Sequence, residues 1–209
     1  PVQGEGGIRV LPETCLKGIR EICDEKDILL ILDEVQCGVG RTGKLFAHEW
    51  AEIEPDIMMV AKGIGGGFPL GAVLAKENAA SGMTAGTHGS TYGGNPLGCS
   101  IGLKVMDIIS DPNFLYDVNR KAKLFHDGLL ELLRKNTSIF EEVRGKGLML
   151  GLKCKVKNID VVNAAYSNKL LTVPAGDNVV RLLPPLTISD KDINEALNKL
   201  DGVMTALSQ

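Results

Sequence analysis

The sequence has no paired cysteine motif, no metal-ligand spacing, no long apolar run and no concentrated positive charge. Each absence removes a class of function. Five cysteines, odd in number and without a CxxC pair, do not make a complete disulfide framework, so reduced thiols in a cytosolic or organelle-matrix compartment are expected. His48, His88 and His126 stand at no ligand spacing, so no metal site is expected and core or surface roles suit all three. No apolar stretch approaches the ~20 residues a membrane span needs. The opening PVQGEGG has neither a basic n-region nor an apolar h-region, so no signal peptide is expected there. With 23 basic and 26 acidic residues the net charge is −3, and without a clustered basic face nucleic acid is not an expected partner. GVGRTG and GIGGG fit neither a dinucleotide fingerprint nor a Walker loop, because no GxGxxG follows a strand and no GK[ST] closes a P-loop.

What remains is an ordinary soluble composition, 44% hydrophobic and 23% charged over 209 residues, enough for one large domain or two modest ones. There is no initiator Met, and Pro1–Gly4 reads as a loop entered from a preceding strand, so the chain is expected to be the latter part of a longer protein. The informative stretch is 28–62. Ile28–Leu32 is a short apolar run whose length and β-branched content favour a strand buried on both faces, and it ends in Asp33-Glu34. Ile57–Val60 repeats the pattern and Lys62 follows almost at once. If the two strands are parallel neighbours, Asp33 and Lys62 emerge at one carboxyl edge, where open α/β sheets bind ligands.

Pro12 predicts a helix over Glu13–Lys26 with Leu16, Ile19 and Cys23 on one face. Beyond the second strand come the Gly63–Gly67 loop, a third apolar run at Gly71–Ala75 and the HGSTYGG loop, His88–Gly94. A helix from Pro96 through Leu97, Ile101, Val105 and Ile108 is broken by Asp111-Pro112. Another follows over Asn113–Lys135, with Leu115, Val118, Ala122, Phe125, Leu129 and Leu132 at helical spacing. Phe140–Val143 and Leu148–Leu152 flank an Arg144–Gly147 turn and read as a hairpin. A short helix near Asp160–Asn168 precedes two runs, Leu170–Val173 and Val179–Leu183, around the turn 175–178. Ser189 with Asp192 caps a terminal helix striped by Ile193, Leu197, Leu200 and Met204. The expected organisation is a partial large domain over 1–112, a connecting helix at 113–137 and a small α+β domain over 138–209.

Each candidate site residue has a plain reading beside a chemical one. Lys62 is either a solvated lysine after a strand or an amine held partly neutral, by burial near another cation, to attack a carbonyl. Asp33 either caps the next helix or pairs with an arginine, or it faces a pyridine nitrogen and keeps it protonated, which makes the ring an electron sink. Gln36 could donate to a phenolic oxygen. Ser90 and Thr91, in a glycine loop, suit either a turn or a phosphate. Arg181 lies inside an apolar run, where a charge is costly unless paired, and its planar fork suits a carboxylate. Glu5 is an acid in a glycine loop, of a kind usually found on the surface.

The strings PVQGEGG, LLILDEVQCGVGRTGKLFAHE, PDIMMVAKGIGGGFPLGAVLA, HGSTYGGNPLG, VRGKGLMLGL and AGDNVVRLLPPL, in this order over nearly the whole chain, resemble the class III aminotransferases, pyridoxal 5'-phosphate enzymes of fold type I. The resemblance implies an α/β fold: part of the large domain, a mainly parallel sheet with helices on both faces, plus a small α+β C-terminal domain. It implies that Lys62 holds the cofactor covalently and shuttles a proton, that Asp33 pairs with the ring nitrogen, and that Gln36 contacts the 3-oxygen. Ser90 and Thr91 would serve the phosphate, with Thr91 reaching that of a neighbouring subunit in a cytoplasmic homodimer with shared sites. Arg181 would bind the substrate α-carboxylate, and Glu5 would pair with an arginine as a switch between two amino donors. The implied reaction passes the terminal amino group of N-acetylornithine to 2-oxoglutarate, giving N-acetylglutamate 5-semialdehyde and glutamate. Ornithine, 4-aminobutyrate or succinyl-diaminopimelate are alternative donors, and a non-catalytic dimerising piece is the alternative from another class. Chains of the family are close to twice this long. Half of the cofactor pocket, including a phosphate loop and a ring-stacking aromatic, would then lie outside this sequence, and an unpaired sheet edge with apolar faces would favour association.

Overall fold

A computed structural model describes residues 1–207. It divides into two units, one made of Pro1 with Leu11–Phe114 and the other of Val2–Val10 with the chain from Leu115 onward. The opening ribbon, β1 (Val2–Gln3) antiparallel to β2 (Arg9–Val10), therefore belongs to the second unit although it comes first in sequence.

In the first unit α1 (Glu13–Lys26) has the predicted bounds. Pro12 sits at its N-cap, and Asp27 ends it in the left-handed region at φ 53, with its N–H donating to the Cys23 and Asp24 carbonyls. Leu16 of α1 is buried with Leu30, Leu32 and Ala51, and Ile19 and Cys23 pack against them. Strand β3 (Ile31–Asp33) pairs in parallel with β4 (Ile57–Val60), and β4 pairs antiparallel with β5 (Ala72–Ala75). This piece of sheet thus holds one parallel and one antiparallel pair. Asp56 ties α1 to the strands: its Oδ2 accepts from Leu30 N–H at 2.8 Å and from Arg20 Nη1 at 2.7 Å. After a single turn, α2 (Glu77–Ala80), comes α3 (Pro96–Ile109), capped by Asn95 Oδ1 accepting from Gly98 N–H at 2.8 Å.

The apolar stripe read for α3 is not its buried face. Leu97 is 62% and Ile108 46% exposed, whereas Gly98, Gly102 and Ile109 are buried. Glycine lets the helix backbone come close: a Cβ on Gly102 would stand 2.7 Å from Leu70 Cδ2, and one on Gly98 3.3 Å from Phe68 Cε1. Val73 and Leu74 of β5 are also exposed, so apolar surface is left open on this unit as expected.

The second unit opens on α4 (Pro112–Lys135), which buries Val118, Ala122, Phe125, Leu129 and Leu132 as its 3.6-residue spacing predicts. Strands β6 (Phe140–Lys146) and β7 (Met149–Cys154) form the hairpin. The reversal falls at Gly147-Leu148 rather than over the whole of Arg144–Gly147, because Arg144, Gly145 and Lys146 remain in the ladder opposite Gly151, Leu150 and Met149. Helix α5 (Asn158–Ser167) leads to β8 (Val173–Ala175) and β9 (Val179–Leu182), giving an antiparallel sheet in the order β6-β7-β9-β8. β8 lies two to three residues later than the Leu170–Val173 run. Leu170 is instead used to close α5, its N–H donating to Ala165 O at 2.9 Å beyond Lys169 at φ 57. Pro174 is tolerated because β8 is an edge. Helix α6 (Asp190–Leu207) carries the predicted Ser189 N-cap, with Asp192 N–H donating to Ser189 Oγ at 3.1 Å and the Ser189 hydroxyl donating in turn to Asp192 Oδ2 at 2.7 Å. It buries Ile193, Leu200, Val203 and Met204.

The GEGG turn docks on the 175–178 turn. Gly176 N–H donates to Glu5 O at 2.8 Å, and a Cβ on Gly7, at φ 108, would stand 2.8 Å from Gly176 O. Asp177, at φ 55, accepts from Arg9 at 2.9 Å, from Arg144 at 2.6 Å and from Lys153. The Lys153 ammonium first, then the Arg144 guanidinium, hold its carboxyl at about 2 against a smaller cost of desolvation. The unfolded chain takes up this proton near pH ~4, so the contribution is complete above that value and is lost as the pH falls towards about 2. The unfolding midpoint of the protein should drop across this window, and Asp177→Asn, which has no charge to lose, should show a shallower drop. An unchanged slope in that variant would remove Asp177 as a source of acid sensitivity.

None of the five cysteines is in a disulfide, and burial pushes the Cys154 thiol up to about 12. Among the described residues no group of His, Cys, Asp and Glu could hold a metal ion. Among the described residues no helix is long and apolar enough to cross a membrane.

Candidate active site

The register of the parallel pair sets the site. Ile31 faces Ile57, Leu32 faces Met58 and Asp33 faces Met59, with Lys62 three residues further along β4's exit. Parallel strands end at the same edge, so the acid and the amine leave the sheet at one carboxyl edge, as the spacing predicted. Asp33 is exposed, and its Oδ1 accepts from Val35 N–H at 2.8 Å, which leaves Oδ2 without a partner among the described residues. Gln36 is half-buried, and its buried Oε1 also has no partner there. Lys62 stands at φ 48, opening a short 3-10 turn over Lys62–Gly65. It is exposed rather than buried, so these residues supply only one side of the enclosure that carbonyl chemistry at an amine requires.

The other predicted residues are placed as follows. Ser90 and Thr91 lie in an exposed loop of the first unit, where Ser90 Oγ accepts from Gly93 N–H at 3.0 Å. No hydrogen bond or ion pair joins either to Asp33, Gln36 or Lys62 among the described residues. Arg181 and Glu5 belong to the second unit. Arg181 is half-buried on β9 opposite Gly151 and Val173; Nη2 reaches Pro174 O only at 3.5 Å, and its buried Nε has no partner. Glu5 is exposed, and no ion pair joins it to Arg181 among the described residues.

Reading the sequence missed Glu34. It is fully buried beside Asp33, and its carboxylate accepts from Ala47 N–H at 2.9 Å, His48 N–H at 2.8 Å, Cys37 Sγ at 3.3 Å and His48 Nδ1 at 3.0 Å. Burial alone would push this carboxyl up, but the bonds from His48, Ala47 and Cys37 outweigh it and hold it below the usual carboxylate range. The signal available was an acid adjoining a buried run; apart from Cys37 its partners lie 13 and 14 residues on, beyond any helical or strand period. Arg41 and Thr42 were also missed. Burial lowers the proton affinity of Arg41, and the fully buried Thr42 Oγ1 has no partner among the described residues.

An amine and a carboxylate stand at one sheet edge, with a buried amide oxygen that has no partner and a run of glycines nearby in the chain. The chain belongs to the class-III aminotransferase family, which matches it over residues 1–204. It is 65% identical over 207 residues to acetylornithine aminotransferase of Rhodobacter capsulatus, covering 99% of this chain and 53% of that protein. To the protein of the same name in Mesorhizobium japonicum it is 58% identical over 200 residues, covering 96% and 50%. Among solved structures, N-acetylornithine aminotransferase from Stenotrophomonas maltophilia K279a matches with a TM-score of 0.89 at 37% identity, over 99% of this chain and 55% of that one. Ornithine aminotransferase from Toxoplasma gondii ME49 matches with a TM-score of 0.93 at 33% identity, over 100% and 50%. The chain thus spans about half the length of these relatives. The family is pyridoxal-phosphate-dependent, and the fold is that of part of a fold type I transferase.

Proposed function

We propose that this chain is the lysine-bearing part of an aminotransferase that moves the terminal amino group of N-acetylornithine to 2-oxoglutarate, a step of arginine biosynthesis. The register that brings Asp33 and Lys62 to one carboxyl edge carries the reading. The identities to acetylornithine aminotransferases favour this donor over ornithine, 4-aminobutyrate or succinyl-diaminopimelate. Residues 1–112, apart from the Val2–Val10 ribbon that belongs to the second unit, would form the partial cofactor domain, 113–137 the connecting helix and 138–209 the small domain. The apolar surface open on the first unit supports a homodimer with shared sites, which would work in the cytoplasm with Ser90 and Thr91 turned to phosphates and Thr91 to the partner's.

The residues present fit the cofactor in chemistry: a carboxylate oxygen stands without a partner, and so does the buried end of the Gln36 amide, whose oxygen and N–H2 exchange by a half-turn, near an amine followed by glycines. Bound there, pyridoxal phosphate would supply an aldehyde that accepts an amine and a protonated ring that draws electrons from the carbon losing its proton. Lys62 Nζ would hold that aldehyde and carry the proton on and off the substrate carbon. Asp33 would keep the ring nitrogen protonated, and Gln36 would donate its amide N–H to the ring oxygen. Arg181 would orient both substrates by the α-carboxylate they share, and Glu5 would pair with an arginine as a switch between two amino donors.

Treating the protein with pyridoxal phosphate, then borohydride, and mapping its peptides tests this directly. Label on Lys62 is expected. A protein that never takes up the cofactor would leave only the non-catalytic dimerising reading. Arg181→Ala should lower kcat/KM for N-acetylornithine and 2-oxoglutarate alike by about 10- to 100-fold, the loss of a charge-assisted bidentate contact. Unchanged constants for both would remove Arg181 from the pocket.

A further inference from the structure

The turn after β3 is held by a single buried group. Glu34 spends both carboxylate oxygens on the 47–48 backbone, the His48 ring and the Cys37 thiol, at 2.8–3.3 Å. Its own backbone is engaged at both ends, N–H donating to Met59 O and O accepting from Gly38 N–H, each at 2.9 Å. A carboxylate with no exposed atom and four donors has one position open to it, so the residues on either side, Asp33 and Gln36, inherit that position.

The same group reaches the amine by a second route. Gly38 packs so closely on Glu34 that an added Cβ would stand 2.7 Å from Glu34 O. The next residue, Val39, is 2% exposed and sits at φ 54, a conformation that β-branched residues rarely adopt. Its Cβ lies 3.2 Å from where a Cβ on Gly63 would be, directly after Lys62, itself at φ 48. Two backbone residues in the left-handed region, one bearing the amine and the other pressed on the residue beside it, persist only where their surroundings leave no alternative.

We propose that Glu34, held by His48, is a positioning residue for the cofactor: through one turn it sets the Asp33 carboxylate and the Gln36 amide, and through Val39 against Gly63 it sets Lys62. The inference rests on the function proposed above and adds to it a residue that touches neither ring nor substrate. His48 Nδ1 faces an acceptor-only carboxylate and so carries the proton of this bond. Asparagine, whose Nδ2–H lies near that of Nδ1, can replace the donor, whereas phenylalanine cannot.

The test compares the complete protein with Glu34→Gln, His48→Phe and His48→Asn. The readouts are the pyridoxal phosphate dissociation constant, the visible absorption band of the bound cofactor, and kcat and KM separately. Glu34→Gln turns an amide N–H2 towards N–H donors and should weaken cofactor binding on the order of 10- to 100-fold, by misplacement of groups it does not itself supply. His48→Phe should weaken it about tenfold and His48→Asn should restore it to within about threefold. In both damaged variants the band should shift and kcat should fall while KM for the amino donor stays within about twofold, since Arg181 is untouched. Glu34→Gln and His48→Phe that fold with wild-type affinity and band would overturn the proposal. If Glu34→Gln does not fold, equal affinities in His48→Phe and His48→Asn overturn it. A wild-type protein that takes no cofactor on Lys62 overturns the function proposed above instead, so the two failures are distinct.

Discussion

Lys62→Ala in the complete protein should abolish reductive labelling by pyridoxal phosphate and lower turnover by at least about 10⁴-fold, the scale of losing a positioned proton-transfer group, with the loss of covalent attachment added. The expectation follows from placement. Lys62 is the amine that leaves the parallel pair at the edge where Asp33 ends β3, and its backbone lies at φ 48, which orients the residue away from the strand direction. The glycines after it, Gly65 buried and Gly66 at φ 55, let the chain turn and pack on α3, where a Cβ on Gly66 would stand 3.0 Å from Val105 Cγ2. An alanine removes the amine with its stem beyond Cβ, and because Lys62 is exposed, folding should be nearly unchanged. A Lys62→Ala protein with near-native steady-state rates would end the assignment of Lys62 as the reacting amine.

Gly145→Ala should be the most destabilising single methyl in the second unit, by about 3–5 kcal/mol, lowering the unfolding midpoint by roughly 10 °C. Gly145 lies in β6 at φ 126, where an L side chain is strained whatever the space around it. There is also no space. The added Cβ would stand 2.0 Å from Met149 O, 2.9 Å from Leu150 Cα and 3.0 Å from Met149 C, all backbone atoms of β7. Those atoms have nowhere to move, because β7 is central in the sheet and Met149 and Leu150 are buried. Gly18 of α1 is the control: nothing lies within 4 Å of its Cβ position, so Gly18→Ala should gain about 1 kcal/mol from helix propensity. Calorimetry on the two variants decides this, and equal midpoints would show that the hairpin yields where the packing says it cannot.

Where a signal is local, it was legible. α1 begins after its proline and runs over the predicted Glu13–Lys26, and α4 buries residues that recur at 3.6. Ser189 caps α6 by bonds within four residues. Where the outcome depends on what approaches from elsewhere, it was not. α3 has an apolar stripe and a glycine face, and only the packing of Phe68 and Leu70 selects the glycines. Leu170 looked like the start of a strand until the end of α5 claimed its N–H.

The sequence by itself determined the class of this protein. Its strings of residues carry the family, and the choice of residue after each short apolar run, Asp33 after one and Lys62 after the other, is written in the chain itself. Tertiary structure decided the rest. It assigned the opening ribbon to the second unit, left Lys62 exposed, and buried Glu34 against partners 13 and 14 residues away. A hydrogen bond or a backbone contact is set by distance in space, and sequence separation carries no information about that distance once the chain has turned.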